Sequence, residues 1–301
     1  MKITADVLGE TLLKELARQL PADGLWRLDE PKLWWLTEKQ RKAYRAIQNQ
    51  SSYSSLVENE EKSLAASIDE ILEGMHPSYS VADLGCGNGE KARLVLAAAK
   101  QHGQSPVYMP VDINPVYVTT ASKAASGYAP VIPLHADFMT LNLTKLGSDA
   151  NLVLFLGNTY GDFPPKRILD YLHKNLRAED LLVFSTQTSD SGVESIVENY
   201  YDKKVEAWLW QMMAALGFGK EMASYRLRYH RKERAMELSY DVLGVPQQLQ
   251  KIGMQPGDSI IAVSTRKPST ESFLADVAPY FAVTLYSSEG SNQLIIGARR
   301  K

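Results

Sequence analysis

Apolar positions along this chain follow two periods. Short apolar runs at 81–84, 106–112, 130–135, 151–156 and 180–187 alternate with stretches of helical spacing at 90–100, 114–125 and 165–176. Apolar runs bounded by turns read as strands buried on both faces, and their alternation with helices predicts a parallel sheet covered on each side. Ahead of it, Leu64, Ile68, Ile71, Leu72 and Met75 mark one face of a helix from Glu60 to Met75. Nearer the N-terminus, Leu8, Leu12, Leu13, Leu16 and Leu20 recur at helical spacing before Pro21. Leu33-Trp-Trp-Leu36 follows as part of a packed cap, and Gln48–Ser55 is polar and poor in helix formers. Beyond Gln187 the rhythm changes. Ser191–Gly217 reads as one long, aromatic-rich helix; Tyr225–Arg234 alternates basic with bulky residues; Ala235–Val242 and Asp258–Arg266 predict further strands. A helix over about 270–280 and a hairpin of strands at 281–287 and 293–298 close the chain. Two domains are expected: 59–189 with 267–301, and an accessory domain of 1–58 with 190–266, rich in β-structure in its second part.

The most informative turn is Asp83-Leu-Gly85-Cys-Gly87-Asn-Gly89-Glu-Lys91, between a strand and a helix. Glycine is needed where backbone takes positive φ or where a ligand approaches without a Cβ in the way. A dinucleotide fingerprint, G-x-G-x-x-G, would place glycine where this chain has Glu90, an anion at the spot where pyrophosphate meets a helix N-terminus. Asp83 instead suits a ligand carrying an ammonium and a sulfonium, and Asp112, ending the next strand, can accept both hydroxyls of a ribose. Asp137-Phe138 ends the third strand. Its acid and ring suit an adenine, while a turn or helix cap explains Asp137 alone equally well. At the exit of the fourth strand, Gly157-Asn158-Thr-Tyr-Gly-Asp162-Phe-Pro-Pro165 lies at the carboxyl edge where such sheets bind ligands. There Asp162 either meets the reacting group or caps the helix that begins at the prolines.

Composition narrows the partners. The 301 residues are 45% hydrophobic and 23% charged, enough for ample core, and the formal net charge of −2 supplies no overall footprint for nucleic acid. Arg226 to Arg234 reads as a strand edge blunted by basic side chains in preference to a phosphate-binding surface. Five dispersed histidines and one cysteine give no metal-ligand spacing. The single cysteine allows no internal disulfide, and with no apolar run long enough to span a membrane the expectation is a cytoplasmic protein of unknown oligomeric state.

Asp83-x-Gly85-x-Gly87-x-Gly89 with Asp112 resembles the first two motifs of class I S-adenosylmethionine-dependent methyltransferases. The resemblance implies a Rossmann-like, doubly wound α/β sheet with an antiparallel last strand, plus the α+β accessory domain. Gly85-x-Gly-x-x-Glu-Lys91, Phe155-Leu-Gly-Asn-Thr-Tyr-Gly-Asp-Phe163 and Gly192-Val-Glu-Ser resemble, more narrowly, the histidine-specific methyltransferase family. By that resemblance Asp83, Gly85, Gly87, Gly89, Lys91, Asp112, Asp137 and Phe138 hold S-adenosylmethionine, with S-adenosylhomocysteine as product. By the same resemblance Tyr53, Asp162 and Ser264 lie where a small amine or amino-acid acceptor is met, with Asp162 or Tyr53 orienting its nitrogen, and a pocket expected between the two domains adds Asn158, Tyr200 and Tyr201. The chain departs from the family where histidine binders carry Asn and Glu and it has Asp162 and Ala262. Histidine is therefore expected to bind poorly unless Asp162 replaces the missing glutamate, and Ala262→Glu is expected to move selectivity toward it.

Overall fold

The computed structural model describes residues 5–76, 78–147, 149–190, 192–287 and 292–301. In chain order the elements are α1 (Ala5–Ala17), β1 (Leu25–Arg27), α2 (Glu38–Gln48), α3 (Ser51–Glu73), β2 (Tyr79–Leu84), α4 (Glu90–Gln101), β3 (Val107–Asp112) and α5 (Pro115–Ala125). Then come β4 (Leu134–His135), β5 (Ala150–Phe155), α6 (Pro165–Asn175), β6 (Leu181–Gln187), α7 (Glu194–Tyr200), α8 (Lys203–Ala215), β7 (Ala223–His230) and β8 (Ala235–Val242). The last are α9 (Gln247–Gln250), β9 (Ser259–Arg266), α10 (Thr270–Val277), β10 (Phe281–Ser287) and β11 (Gln293–Arg300). Two compact units result, Met1–Ser54 with Gly192–Lys267 and Ser55–Ser191 with Pro268–Lys301.

The unit of Ser55–Ser191 and Pro268–Lys301 is a seven-stranded sheet in the order β10-β11-β6-β5-β2-β3-β4. β2 pairs in parallel with both β3 and β5, and the later strands β5 and β6 lie on the side of β2 opposite β3 and β4. The chain thus reverses its direction of travel across the sheet between β2 and β5, which leaves a crevice at the strands' carboxyl ends. β11 pairs antiparallel with β6 and with β10. Every residue of β2, β5 and β6 is buried, as a sheet covered on both faces requires. One core gathers Val81, Leu152 and Val183 with Leu64, Ile71 and Val95, and another gathers Val153, Phe155 and Phe184 with Ile168 and Phe273. The run 130–135 shrinks to a two-residue strand and one bridge from Val131 to Tyr108. Pro130 and Pro133 cannot donate to a ladder, which confines this segment to the sheet edge.

The unit of Met1–Ser54 and Gly192–Lys267 holds a four-stranded sheet in the order β1-β9-β8-β7, with β7, β8 and β9 antiparallel and β1 parallel to β9. β7 carries the basic alternation and is an edge strand, as its sequence suggested. Helices α1 and α8 contribute Leu8, Leu12, Leu16, Leu209, Met212 and Met213 to its core. Two expectations fail here. The single helix over 191–217 is two, α7 and α8, because Asp202 leaves helical geometry and accepts a bond from the Lys204 N–H at 2.7 Å, capping a new start. The polar segment 48–55 is mostly helical, since α3 begins at Ser51; Tyr53 in its first turn bonds the Tyr44 hydroxyl at 2.8 Å, tertiary contact overriding weak propensity.

Candidate active site

Backbone geometry at the end of β2 sorts the three glycines of the turn. Gly85, Gly87 and Gly89 take φ of 73°, 53° and 79°. An added Cβ would meet nothing within 4 Å at Gly87 and only Thr159 Oγ1 at 4.0 Å at Gly85, so both look onto open space. At Gly89 it would come 2.7 Å from Ala121 Cα, so that glycine lets α4 and α5 pack. Asp112 closes over the turn: one carboxylate oxygen accepts from the Gly87 N–H at 3.2 Å and the other from the Asn114 N–H at 2.8 Å. Asp83 accepts from the Tyr108 hydroxyl at 2.7 Å. Burial pushes the Asp83 carboxyl up to about 6, against the lowering effects of that hydrogen bond and of Lys91. Burial likewise pushes Asp112 up to about 6, against the N–H groups of Asn114 and Gly87.

Asp137 caps the 3₁₀ turn Phe138–Thr140, accepting from the Met139 N–H at 3.0 Å, so its capping role is present. A single capping bond leaves a carboxylate with further lone pairs for a ligand. Phe138 stacks edge-on with Phe155 and Phe163 at centroid distances of 5.6 and 5.8 Å. Open space above Gly85 and Gly87, two buried carboxylates and the acid and ring of 137–138 at adjoining strand ends fit a nucleoside that carries an amino-acid tail.

Across from the glycine turn, the loop after β5 is held from several directions. Thr159 Oγ1 donates to the Leu156 carbonyl at 2.8 Å, and the Tyr160 ring is fully buried against Phe184 and Phe273 while its hydroxyl donates to Asp276 at 3.1 Å. Asn158 is held at φ 63°, a left-handed conformation uncommon outside glycine, and its Oδ1 is shielded from solvent with no hydrogen-bond partner among the described residues. Asp162 is half-buried at the end of the 3₁₀ turn Thr159–Asp162; the N-cap position of α6 belongs to Pro164, so Asp162 does not occupy it. Lys91, in the first turn of α4, pairs with Glu60 at 2.6 Å. Sequence reading missed Glu60, Tyr108 and Ser185. Glu60 had a signal, a charge four residues before Leu64 in the apolar stripe of α3.

Tyr53, Tyr200, Tyr201 and Ser264 belong to the other unit. Tyr53 and Tyr44 join Trp35 and Trp208 in an aromatic cluster with ring centroids 4.5 to 5.9 Å apart. Lys267 Nζ lies 5.9 Å from the Tyr200 ring, while Tyr201 is 64% exposed. Ser264 is half-buried on β9. The expected response to Ala262→Glu needs correction. The β8–β9 register passes from Leu238 opposite Val263 to Ser239 opposite Ile261, which leaves Ala262 in a bulge, fully buried in the hydrophobic core with its carbonyl accepting from Trp34 Nε1. A glutamate there would be a charge in the core.

Among the described residues no cluster of three or more His, Cys, Asp or Glu is placed to hold a metal ion, and no helix is long and apolar enough to cross a membrane. A family model described as histidine-specific methyltransferase, SAM-dependent, matches residues 16–276. Among solved structures, the PH0226 protein from Pyrococcus horikoshii OT3 is similar at 16% identity and a TM-score of 0.50, covering 86% of this chain and 98% of that one. An S-adenosylmethionine-dependent methyltransferase from Clostridium acetobutylicum ATCC 824 is similar at 10% identity and a TM-score of 0.51, again over 86% of this chain and 98% of the other. No curated protein matches the sequence. At such identities the likeness shows the fold, and that fold is the Rossmann-like class I arrangement expected from the glycine turn.

Proposed function

The chain belongs to the histidine-specific, S-adenosylmethionine-dependent methyltransferase family, and from that premise we propose that it methylates a nitrogen of a small amine or amino acid. The observation that carries the reading is Asn158: a shielded Oδ1 on a left-handed residue beside the glycine turn, an acceptor for which the described residues supply no donor. S-adenosylmethionine, when bound, supplies an electrophilic methyl group on sulfur. The residues have the rest to do. Asp112 and Asp83 offer carboxylate lone pairs to ribose hydroxyls and an ammonium, Gly85 and Gly87 leave room, and Asp137 and Phe138 take the adenine. Lys91 serves the anionic end of the donor's tail. Asn158 Oδ1 and the Asp162 carboxylate accept hydrogen bonds from the acceptor nitrogen, Asp162 taking its proton, so that a neutral lone pair is presented. Displacement at a methyl group needs little covalent help, so alignment of the nitrogen is the main contribution.

Incubation with isotopically labelled S-adenosylmethionine and a panel of amino acids and amines tests this. Mass gains of one to three methyl groups on nitrogen are expected for a member of the panel. Transfer to oxygen or carbon acceptors, or to macromolecules alone, would overturn it.

A further inference from the structure

Glu60, which no sequence motif singled out, is 1% exposed and sits in α3 within the unit that carries the glycine turn. Its carboxylate serves three partners of different kinds, an ammonium, an amide and a hydroxyl. Oε2 pairs with Lys91 Nζ at 2.6 Å, and Oε1 accepts from the Gly157 N–H at 2.7 Å and from the Ser185 hydroxyl. The Gly157 N–H also reaches Ser185 Oγ at 2.9 Å. Gly157 opens the loop of Asn158 and Asp162; it takes φ 78°, and an added Cβ would stand 3.3 Å from Lys91 Nζ. Loop backbone and ammonium are therefore packed side by side, with Glu60 holding both. Burying a carboxylate is costly unless both of its oxygens are served, and here both are.

We propose that Glu60 is a positioning residue that couples the anion bound at Lys91 to the conformation of the loop beginning at Gly157. The inference rests on the assignment above of Lys91 to the methyl donor and of residues 157–163 to the acceptor. An ammonium has three N–H donors, and a ligand carboxylate arriving at Lys91 draws on the same charge that Oε2 now holds. As that ion pair is shared out, more of the carboxylate's accepting capacity falls to Gly157 and Ser185, and the first amide of the loop is held more firmly. Donor binding would in this way prepare the acceptor side.

Hydrogen exchange of the full-length protein with and without S-adenosylhomocysteine tests the coupling without any acceptor. In the wild type, the product should slow exchange across 157–163 by on the order of tenfold. Glu60→Gln keeps an oxygen for Gly157 but loses the ion pair, so it should still bind S-adenosylhomocysteine while most of the loop's response disappears. Lys91→Met, measured at saturating ligand, removes the same pair from the other side and should also silence the loop; it decides the matter if Glu60→Gln does not fold. A purely structural Glu60 would lower the melting temperature and leave the bound-to-free exchange ratio intact, and that result, or an unresponsive loop in wild type that binds the ligand, overturns the coupling. Wild-type protein that fails to bind S-adenosylhomocysteine by calorimetry would overturn the donor assignment, and the coupling with it.

Discussion

The two sheets of this protein solve the same burial problem differently. In the seven-stranded sheet every residue of β2, β5 and β6 is buried, and the glycine turn and Asp112 stand at strand ends. In the four-stranded sheet the edge strand β7 fully buries only Ala223 and carries paired charges, as where Arg226 meets Asp241 at 2.8 Å. Around it, tyrosines and tryptophans supply the surfaces. Backbone cradles tolerate little change, whereas a cluster of side chains can be rebuilt position by position. Reaction class is for that reason written more plainly in this chain than acceptor identity.

Ala262→Glu should produce the largest effect and tests whether β9 is core or pocket at that point. An uncompensated carboxylate in a hydrophobic core costs about 3–5 kcal/mol, so thermal and urea melts should show severe destabilisation. A folded variant with new histidine turnover would return Ala262 to the pocket. Next is Asp112→Ala. Two charge-assisted hydrogen bonds to a ribose amount to about 3 kcal/mol, or roughly a hundredfold in affinity for S-adenosylhomocysteine by calorimetry. Unchanged affinity would remove Asp112 from the site.

Gly89→Ala and Gly87→Ala separate packing from ligand room inside one turn. At Gly89 the new Cβ meets Ala121 at positive φ, and a stability loss of about 2–3 kcal/mol is expected, with ligand affinity following only as folding fails. At Gly87 strain alone costs about 1 kcal/mol, and the loss of ligand affinity should exceed the loss of stability. Equal responses at both positions would erase the distinction.

The pH dependence should run in opposite directions for the empty and the liganded protein. Asp83 and Asp112 titrate near 6 when folded and near 3.8 when unfolded, so the folded state holds more protons between those values. Their contribution to stability is full below the unfolded value and is lost as pH rises through about 6, whereas their ionised forms are the better partners for an ammonium and for hydroxyl donors. Melting of the empty protein should therefore lose this contribution between pH 4 and about 6, while S-adenosylhomocysteine binding strengthens over the same interval. Parallel trends would place neither acid against the ligand. The smallest structural effect belongs to Asp162→Asn: melting and S-adenosylhomocysteine affinity should barely move while amine turnover falls, and unchanged turnover would return Asp162 to a structural role.

The glycine turn and the acid that closes over it were legible because the turn is local. A strand, three glycines within five residues and a helix start are neighbours in sequence, and Asp112 ends the next strand, so spacing alone brings them together. Most of what was misread depends on contacts made at a distance. Gly89 looks like its two companions until α5 is packed against it. The break at Asp202 was hidden by the helix formers on either side. Ala262 looked available on a strand whose alternation would have paired it with Ser264, and a bulge in β9 changed that alternation.

Hydrophobic period, turn chemistry and the placement of acids at strand ends are properties of neighbouring residues, and by themselves they determined the parallel sheet and the glycine turn at its carboxyl edge. Tertiary structure alone decided which carboxylate serves which partner. Glu60 reaches Gly157 and Ser185 across 97 and 125 residues of chain, and a bond between such distant segments exists only after the strands that carry them have closed into one sheet. No period in the sequence records it, because the cost of burying that charge is met by groups the local chain does not contain.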